Sequence, residues 1–336
     1  MDDLSPETII ELPGYIDSTM LTCFRGCGQK FYKEFILGRR PPGLSVDLHA
    51  GACFATAVEV VRRAIHRDKK SYADALLLAH AAYAMSWGDF EIPPEKNTAK
   101  TFDRTWEAVE DYFRVNSPLT DHVQPYMAAN GEPTLEYTFA IPLEPTIEIH
   151  STMWKRGEDP TAGCFPSHPN GSPFLYTGRF DMLGAMNGRP IPVDEKTSGR
   201  TADGNWAEQW NLRNQFLGYV WACQQCGLDV DSLMVRGTSI LKTKIGQAEA
   251  VKTYSTGLLS RWHEQLRRDM WRIRRSWDEE YWDWNFGDTC TQYGNCIFMN
   301  SCQSDHPDTW LQEFEIRTWN PLAKNPVGPS QSKDKF

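Results

Sequence analysis

Three short segments of the chain carry side chains that together could hold a divalent metal ion against a phosphodiester. Gly178 to Asp181 contributes one carboxylate, and Val193 to Lys196 contributes a second carboxylate and an ammonium group. Gln215 and Tyr219 add two polar groups one helical turn apart. Mg²⁺ and Mn²⁺ favour oxygen ligands such as carboxylates, and an adjacent lysine can neutralise charge on a phosphate. The set therefore points to hydrolysis of nucleic acid.

A β-hairpin is expected to bring the two carboxylates together. Asn187-Gly188 is a strong hairpin signal, because both central residues of a type I′ turn need positive φ. If these residues form the loop, Met186 pairs with Arg189, and counting outward places Asp181 opposite Asp194. Directly opposed residues have Cβ atoms about 5 Å apart, where like charges destabilise a sheet. A fold keeps two such carboxylates side by side only if a positively charged group or ion lies between them.

The neighbours of Asp194 refine this expectation. Lys196 is two residues further along the strand, so it points to the same face as Asp194. Glu195 points to the other face, although its backbone carbonyl could still reach a metal ion. Pro190 and Pro192 cannot donate to a β-ladder and indicate an edge strand or a bulge. A surface hairpin with a solvated Asp–Lys pair is the alternative interpretation.

A helix from about Asn205 to Cys226 is expected to follow the hairpin. It places Gln215 and Tyr219, which are four residues apart, on one face. Side chains of this kind could position a phosphate beside the metal ion. An ordinary amphipathic helix with a half-buried tyrosine would show the same pattern.

In this order the motifs G-x-x-D, D-x-K and Q-x-x-x-Y resemble those of the PD-(D/E)XK nuclease superfamily, in its RecB-like exonuclease branch. The resemblance covers roughly residues 18 to 302. It implies an α/β fold with a restriction-endonuclease-like core, in which helices flank a mixed central sheet, together with large helical additions. It also implies a metal-dependent DNA nuclease, most simply an exonuclease.

The resemblance assigns catalytic roles to Asp181, Asp194, Lys196, Gln215 and Tyr219. The two aspartates would bind Mg²⁺ or Mn²⁺ together with the backbone carbonyl of Glu195. The lysine would orient or deprotonate the attacking water, or neutralise developing charge. Glu136 resembles the acidic residue on the strand that precedes the metal-binding one. Phe180 stands where many members have a proline beside the first aspartate, a position that varies within the superfamily.

One element of the branch is missing from this chain. Many members carry a metal-binding histidine on an early helix, four residues after a glycine, but here Gly51 is followed at that spacing by Ala55. His49 or Glu59 could substitute as a ligand. Glu59 lies on a helix expected from about Ala52 to His66, and His49 is expected in the loop before it. The missing histidine favours an alternative function, a nuclease-fold DNA-binding subunit that has lost catalysis.

The chain has nine cysteines, and four of them form a second pattern. Cys290, Cys296 and Cys302 are evenly spaced, and Cys27 lies in a segment, about residues 18–32, that resembles the amino-terminal segment of the branch. There, one cysteine joins three carboxy-terminal ones around a [4Fe–4S] cluster, which takes four thiolates. The resemblance thus implies an iron–sulfur staple between residues 18–32 and 286–304. A four-cysteine zinc site, free buried thiols, or Cys23 in place of Cys27 are the alternatives.

Length and composition fit one globular domain. The chain has 336 residues, of which 40% are hydrophobic and 24% are charged, and its length permits one large core or two domains. We expect one nuclease domain over residues 1–320, with its core at about 52–245. The polar, proline-containing stretch 321–336 is expected to be a disordered tail.

The net charge of −9 argues against a protein that coats nucleic acid by bulk charge. Contact with DNA would need a local basic surface, and a long helix from Leu258 offers one. Its candidate DNA-binding residues are Arg267, Arg268, Arg272 and Arg275. Arginines neutralise phosphates, and the interleaved tryptophans could stack on unpaired bases. An amphipathic helix whose tryptophans pack on the core is the alternative.

The chain also bears on location and partners. No apolar run approaches 18 residues, so no membrane span is expected. The acidic start, Met1-Asp2-Asp3, lacks the apolar run of a signal peptide, so we expect a reducing, cytoplasmic compartment, where clustered cysteines indicate metal more than disulfides. The expected substrate is DNA that is single-stranded or has free ends, in recombination, repair or phage DNA processing, with a recombination or replication protein as partner. A zinc-binding interaction protein is a further alternative.

Overall fold

The structure is a computed structural model, and it describes residues 10–144, 164–202, 205–291 and 295–323. Most of the predicted disordered tail, residues 324–336, lies outside the described residues. The chain divides into two compact units. The first comprises Met1–Pro42, Phe139–Gly178 and Ser260–Phe336, and the second comprises Gly43–Thr138 and Arg179–Leu259. The boundary of a single domain over residues 1–320 stays a prediction.

The described residues form strands and helices in the following order along the chain. The strands are β1 (Tyr15–Ile16), β2 (Arg39–Arg40), β3 (Val123–Pro125), β4 (Leu135–Leu143), β5 (Phe174–Met186), β6 (Arg189–Ser198), β7 (Ser232–Ile240), β8 (Ile245–Thr253) and β9 (Glu315–Ile316). The helices are α1 (Ser18–Gly26), α2 (Gly28–Phe31), α3 (Val46–His66), α4 (Tyr72–Trp87), α5 (Phe102–Val115), α6 (Asn214–Gln225), α7 (Thr256–Asp278), α8 (Met299–Gln303) and α9 (Pro307–Leu311).

The second unit is built on a mixed sheet. Strand β5 is antiparallel to β6, β6 is parallel to β7, and β7 is antiparallel to β8. Strands β3 and β4 pair with β5. In the first unit, β1 runs parallel to the start of β5, and β2 pairs with β9. The predicted α/β class with a mixed central sheet is confirmed, whereas β8 is a strand that the sequence patterns above do not predict. Most of its residues are half-buried and one is buried, so its apolar alternation is weak.

Helices α3, α4 and α5 enclose one hydrophobic core of the second unit. In α3 the buried positions recur every three or four residues, which turns one stripe of the helix toward this core. Helix α4 begins at a serine cap, where Ser71 Oγ accepts a hydrogen bond from the Asp74 amide at 3.1 Å, and it ends at Gly88, whose φ of 55° suits glycine. A second core, under β3, β5, β6 and β7, includes Met182, Val193 and Met234.

Two predicted helix boundaries are wrong. Helix α3 begins at Val46 instead of about Ala52, so His49 lies on the helix and not in a loop. An aspartate in its first turn, Asp47, suits the positive end of the helix dipole, which explains the earlier start. Helix α6 begins at Asn214, because residues 205–213 form turns and a short 3₁₀ segment, Glu208–Trp210.

Those turns let Trp206 pack onto the sheet. The indole lies so close to Gly237 of β7 that a Cβ at this position would be 2.2 Å from Trp206 Cζ2 and 2.7 Å from Cε2. Gly237 has ordinary backbone angles, so the requirement for glycine here is the close approach of the ring and not positive φ.

We therefore expect Gly237→Ala to destabilise the protein by about 1–3 kcal/mol, because the added methyl must displace a packed indole. Equilibrium unfolding in urea, followed by tryptophan fluorescence, measures this change. Gly246→Ala on the neighbouring strand is the control, since the nearest atom to its added Cβ is 3.9 Å away. Equal stability of the two variants would contradict the packing argument.

Candidate functional site

The hairpin of β5 and β6 sets the positions of the acidic residues. Asn187 and Gly188 have φ of 53° and 79°, as a type I′ turn requires. The paired residues run from Met186 with Arg189 to Met182 with Val193. The next position outward brings Asp181 beside Asp194, so the register expected from the turn is confirmed.

The prolines of β6 fit this arrangement. Pro190 and Pro192 pair only with β5, and the parallel pairing of β6 with β7 begins one residue later, at Val193. At the two prolines, therefore, β6 is paired with another strand on one side only. Proline has no N–H to donate, and such a local edge is where a sheet can accept it.

Asp194 is the most enclosed carboxylate of the candidate site. It is 2% exposed. Its Oδ2 lies 2.6 Å from Lys196 Nζ, and its Oδ1 accepts a hydrogen bond from Gln215 Nε2 at 3.1 Å. The ammonium and the amide thus hold both carboxylate oxygens, with the lysine on the same face of β6 as the aspartate.

Asp181 is held against the same strand. Its Oδ2 accepts a hydrogen bond from the backbone N–H of Glu195 at 2.5 Å. Burial raises the pKa of Asp181 well above its ordinary value, and the negative charge of Asp194 raises it further, although Lys196 opposes both effects. The pKa of Asp194 is also raised by burial, again against the opposing charge of Lys196. A half-buried carboxylate, Asp181, and a buried one, Asp194, therefore share one ammonium group.

Glu136 on β4 adds a third carboxylate to this neighbourhood. Its charge contributes to the raised pKa of Asp181, and its Oε2 lies 2.9 Å from Arg179 Nε. Its φ of 49° is unusual for a residue other than glycine within a strand. Such backbone strain is concentrated at functional sites, which agrees with the place that the resemblance gives to Glu136.

Gln215 and Tyr219 make contacts within the protein. Gln215 Nε2 lies 2.7 Å from the Tyr219 hydroxyl as well as donating to Asp194. Tyr219 donates to the backbone carbonyl of Arg179. The pair therefore positions the two aspartates, because it ties α6 both to Asp194 and to the strand that carries Asp181. Contact of these side chains with substrate stays a prediction.

The Glu195 side chain lies on the opposite face, as its position in the strand predicts. Its Oε1 accepts from Arg62 Nη2 at 2.5 Å and from the Tyr112 hydroxyl. Arg62 Nη2 also lies 2.6 Å from the Tyr112 hydroxyl. This buried network fastens the segment between Asp194 and Lys196 to α3 and α5. It leaves the backbone of Glu195 as the part of that residue nearest the carboxylates.

The two candidate replacements for the missing histidine have other surroundings. His49 stacks on Phe90 with ring centroids 4.0 Å apart, and it also packs edge-on against Trp87. Glu59 Oε1 lies 2.5 Å from Arg63 Nη2, one turn along the same helix. Burial lowers the pKa of His49, which keeps the ring neutral. The role of Glu59 as a metal ligand stays a prediction.

Arg213 is a cation near the site that the sequence patterns did not single out. It is exposed and lies at the start of α6, two residues before Gln215, with its guanidinium 6.0 Å from the Trp210 ring centroid. Its positive charge acts on the pKa of both Asp194 and Lys196. An arginine beside the amino terminus of a helix suits a phosphate. A basic residue next to a Q-x-x-x-Y segment was the available signal.

The donor set of the acidic site fits a hard divalent cation. Asp181 and Asp194 supply carboxylate oxygens, and their two charges exceed that of Lys196 when both are ionised. Burial and, after it, the negative charge of Asp194 raise the pKa of Asp181, and a bound cation would oppose both effects. Among the described residues, no three His, Cys, Asp or Glu side chains are already arranged as a metal site. A metal ion would thus complete the site with backbone or solvent oxygens.

This arrangement predicts how metal binding depends on pH. The pKa of both aspartates is higher in the folded state than in the unfolded state, so folding favours their protonated form. Their contribution to the free energy of unfolding is therefore complete below the unfolded-state pKa of about 3.9. It is lost as the pH rises through the folded-state pKa. Metal binding needs the ionised form, so affinity should increase about tenfold per pH unit for each proton released. We expect the rise in Tm caused by Mn²⁺ to be larger at pH of about 8 than at about 5.5. A rise that is independent of pH would contradict the assignment of these ligands.

The four predicted cluster cysteines lie in the first unit. The charges of Cys296 and Cys27 act on the pKa of the Cys302 thiol, which is raised chiefly by burial. The Cys296 amide donates to the Cys290 carbonyl at 2.7 Å. Cys23 instead donates its thiol to Glu34 Oε2 at 3.8 Å, and its pKa is raised by burial. Of Cys23 and Cys27, it is therefore Cys27 whose charge raises the pKa of Cys302.

Lys33 provides a test of whether these residues suit a cluster of thiolates. Its ammonium is buried, donates to Cys302 Sγ at 3.2 Å, and lies 5.6 Å from the Trp284 ring centroid. A buried cation is costly unless a negative group accompanies it. Cys302 as a thiolate would supply that charge. Among the described residues, however, no three cysteines are arranged as a metal site, so the iron–sulfur cluster stays a prediction. This lysine could not be identified from the sequence, because nothing in its spacing links it to residue 302.

The arginines of α7 are not all on the surface. Arg267 is 4% exposed and lies 2.6 Å from Glu264 Oε1, so the structure does not place it where DNA could reach it. Arg268, Arg272 and Arg275 are exposed. Arg275 is paired with Glu279 at 2.8 Å, which reduces the local positive charge. Of the predicted basic surface, these three exposed arginines remain as candidates.

Within the part of the chain that the structure describes, no helix is both long enough and apolar enough to cross a lipid bilayer.

Comparison with known proteins adds little to this site. No protein-family model and no curated protein matches the chain. A candidate exonuclease from Eubacterium rectale has a TM-score of 0.46 and 14% identity, covering 84% of this chain and 89% of its own. The protein SSO0001 has a TM-score of 0.28 and 12% identity, covering 82% of this chain and 85% of its own. TM-scores this low establish neither a shared fold nor a shared activity, so function has to be inferred from the site.

Proposed function

We propose that this protein is a nuclease that hydrolyses phosphodiester bonds of DNA with the help of Mg²⁺ or Mn²⁺. The single observation that carries the proposal is the convergence of Asp181, Asp194 and Lys196, with Gln215 fixing one carboxylate oxygen. Two carboxylates with raised pKa beside an ammonium group are an arrangement for charge and proton chemistry, and they cost stability when ionised. A structural role alone gives no reason to keep them.

The aspartates and Lys196 would have different roles in this reaction. The aspartates and the Glu195 carbonyl would hold the ion, which when bound lowers the pKa of a coordinated water and polarises the scissile phosphate. Burial lowers the pKa of Lys196, but the charges of Asp194 and Asp181 outweigh this effect, so its pKa is raised. Lys196 therefore remains an ammonium group and serves to neutralise charge on the phosphate, not to remove a proton.

Arg213 completes the proposed phosphate site. Its exposed guanidinium, next to the first turn of α6, can bind a second phosphate oxygen while Gln215 holds Asp194 and Tyr219 holds the backbone of β5 at Arg179. This division explains why the polar pair of α6 points into the protein. In this proposal the substrate is contacted by the exposed Arg213 instead.

The test is a cleavage assay with end-labelled single-stranded and double-stranded DNA. Cleavage should appear with Mn²⁺ or Mg²⁺ and disappear with EDTA, because the aspartates cannot act without the ion. The position of the label distinguishes release from one end from internal cuts. DNA binding without cleavage under every metal condition would sink the proposal and favour the catalytically inactive binding subunit.

We propose also that Cys27, Cys290, Cys296 and Cys302 hold a [4Fe–4S] cluster that staples two distant parts of the sequence together. Support comes from the thiol-bound ammonium of Lys33 and from the charges that Cys27 and Cys296 exert on Cys302. Protein purified without oxygen should be brown and contain about four iron atoms per chain. Cys302→Ser should remove the iron, and Cys226→Ser, an exposed position just after α6, should not. A colourless protein that contains zinc would refute the cluster.

A further inference from the structure

Trp284 and Phe286 form a stacked aromatic pair on the surface of the first unit. Their ring centroids are 5.6 Å apart and their planes differ by 2°. Phe286 is 85% exposed and Trp284 is 37% exposed. Single exposed hydrophobic residues are ordinary on protein surfaces. Two parallel rings, the outer with most of its surface open, instead make a flat platform.

The platform is held rigidly by the amino-terminal part of the same unit. The Gln29 amide donates to the Asp283 carbonyl at 3.0 Å, and Gln29 Nε2 donates to the Trp282 carbonyl at 2.9 Å. Asn285 Nδ2 donates to the Gly26 carbonyl at 2.6 Å. A Cβ on Gly28 would be 2.8 Å from the Asp283 carbonyl oxygen, so glycine is needed for this approach. The rings are therefore ordered before any ligand arrives, which lowers the entropic cost of binding.

Alternation along the segment separates an anchor from the exposed pair. Trp282 is buried and stacks on Tyr32 with centroids 5.7 Å apart. Trp284 and Phe286 follow at intervals of two residues and face outward, while the Lys33 ammonium approaches the Trp284 ring. The buried indole fixes the chain, and the two outer rings do not contribute to a core of their own. Phe286, which is 85% exposed, thus adds little buried area to this unit.

We propose that this platform binds an unpaired nucleobase of single-stranded DNA, which stacks on the open face of Phe286. Every base has a flat π-face that stacks on an aromatic ring, whereas in a duplex both faces are covered by neighbouring bases. The inference rests on the proposed nuclease function and deepens it, since it selects single-stranded DNA, or a frayed end, as the form that is bound.

The charges around the platform refine the expectation. Asp283 and Asp288 are exposed on the same segment, and the Lys33 ammonium lies 5.6 Å from the Trp284 ring centroid. Phosphates gain little from such a mixture, so stacking supplies the affinity there. We therefore expect the affinity of this contact to depend only weakly on salt concentration, whereas binding by an arginine cluster depends on it strongly.

The test measures binding of a fluorescent oligo-dT by anisotropy, in EDTA so that no cleavage occurs, with protein purified without oxygen. Trp284→Ala and Phe286→Ala should each weaken binding about 5- to 150-fold, the range for loss of one stacked base. Phe286→Tyr should bind as the wild type does, because the ring is kept. Tyr281→Ala is the control, since this exposed tyrosine belongs to the same segment but lies outside the pair.

The outcomes separate this proposal from the proposed function. Unchanged affinity in Phe286→Ala overturns the platform, and so does equal binding of blunt duplex and single strand by the wild type. A change in sedimentation of Phe286→Ala with no change in DNA binding overturns it too, since the pair would then join two copies of the chain. Binding that depends on Phe286, in a protein that never cleaves DNA, upholds the platform and rejects the nuclease.

Discussion

Replacing Asp194 by asparagine should reduce Mn²⁺-dependent cleavage of DNA by about 10²- to 10³-fold or more, the size of loss seen when a group that stabilises the transition state is removed. The amide side chain would keep the shape of the aspartate and an oxygen for the Gln215 amide, which lies 3.1 Å from Oδ1 in the wild type. It would remove the charge that holds the cation and the partner of Lys196.

Lys196→Met should lower the rate by a similar factor through a different step. The methionine keeps most of the apolar stem but has no ammonium at the 2.6 Å contact with Asp194 Oδ2. Metal should still bind, and more tightly, because the lysine competes with the ion for the same carboxylate. The two variants are therefore told apart by the Mn²⁺-induced rise in Tm, which Asp194→Asn loses and Lys196→Met keeps.

Stability measurements show whether lost activity in Asp194→Asn is caused by unfolding of the variant. Since burial raises the pKa of Asp194, the ionised side chain costs stability at neutral pH, and the metal-free Asp194→Asn variant should have a urea midpoint no lower than that of the wild type. Asp229→Asn, whose side chain is 90% exposed, is the matched control and should be fully active. Undiminished cleavage by both site variants would reject the assignment of the active site.

The second large effect concerns Arg236, the largest fully buried side chain of the described residues. Its Nη1 and Nη2 donate to Asp121 at 2.6 and 2.8 Å, and its Nε donates to Glu249 Oε2 at 3.0 Å. Arg236→Met should destabilise the protein by about 3–5 kcal/mol, because it leaves the buried carboxylate of Asp121 without its partner. Urea unfolding followed by circular dichroism measures the loss.

The cause of that loss can be isolated by a compensating change. If the orphaned charge of Asp121 is responsible, Arg236→Met combined with Asp121→Asn should recover part of the lost stability, since the neutral amide is less costly to bury. Arg67→Met breaks a solvent-exposed pair with Asp68 and should leave the unfolding midpoint nearly unchanged. Additive losses in the double variant would show that packing, and not the charge, is what Arg236 supplies.

Much of the candidate site follows from short-range rules. The type I′ turn at Asn187-Gly188 determines which residues of β5 and β6 face each other, and the two-residue period of a strand then places Lys196 with Asp194 and Glu195 away from them. Neither inference needs a distant residue. For this reason the register of the hairpin was predictable from the hairpin segment alone, and the contacts with Asp181 and Asp194 agree with it.

Other features were beyond such rules. Helix α6 begins at Asn214 because residues before it turn to pack Trp206 against Gly237, which is thirty-one positions later (237 minus 206). Strand β8 is stabilised by its pairing with β7 more than by its own polar pattern. Arg267 directly precedes the exposed Arg268 in the sequence, yet the packing of α7 buries it. Tertiary contacts overrode local preference in each case.

The sequence by itself determined the kinds of chemical groups available, the turn, and the strand period that aligns carboxylates with the lysine, because steric limits on the backbone act between near neighbours. Only the tertiary structure decided which distant charges meet: Arg62 with Glu195, Lys33 with Cys302, and Arg236 with Asp121. The physical reason is that an ion pair between remote residues exists only after packing has brought them together and excluded water. The spacing of residues along the chain therefore does not predict which of them form such pairs.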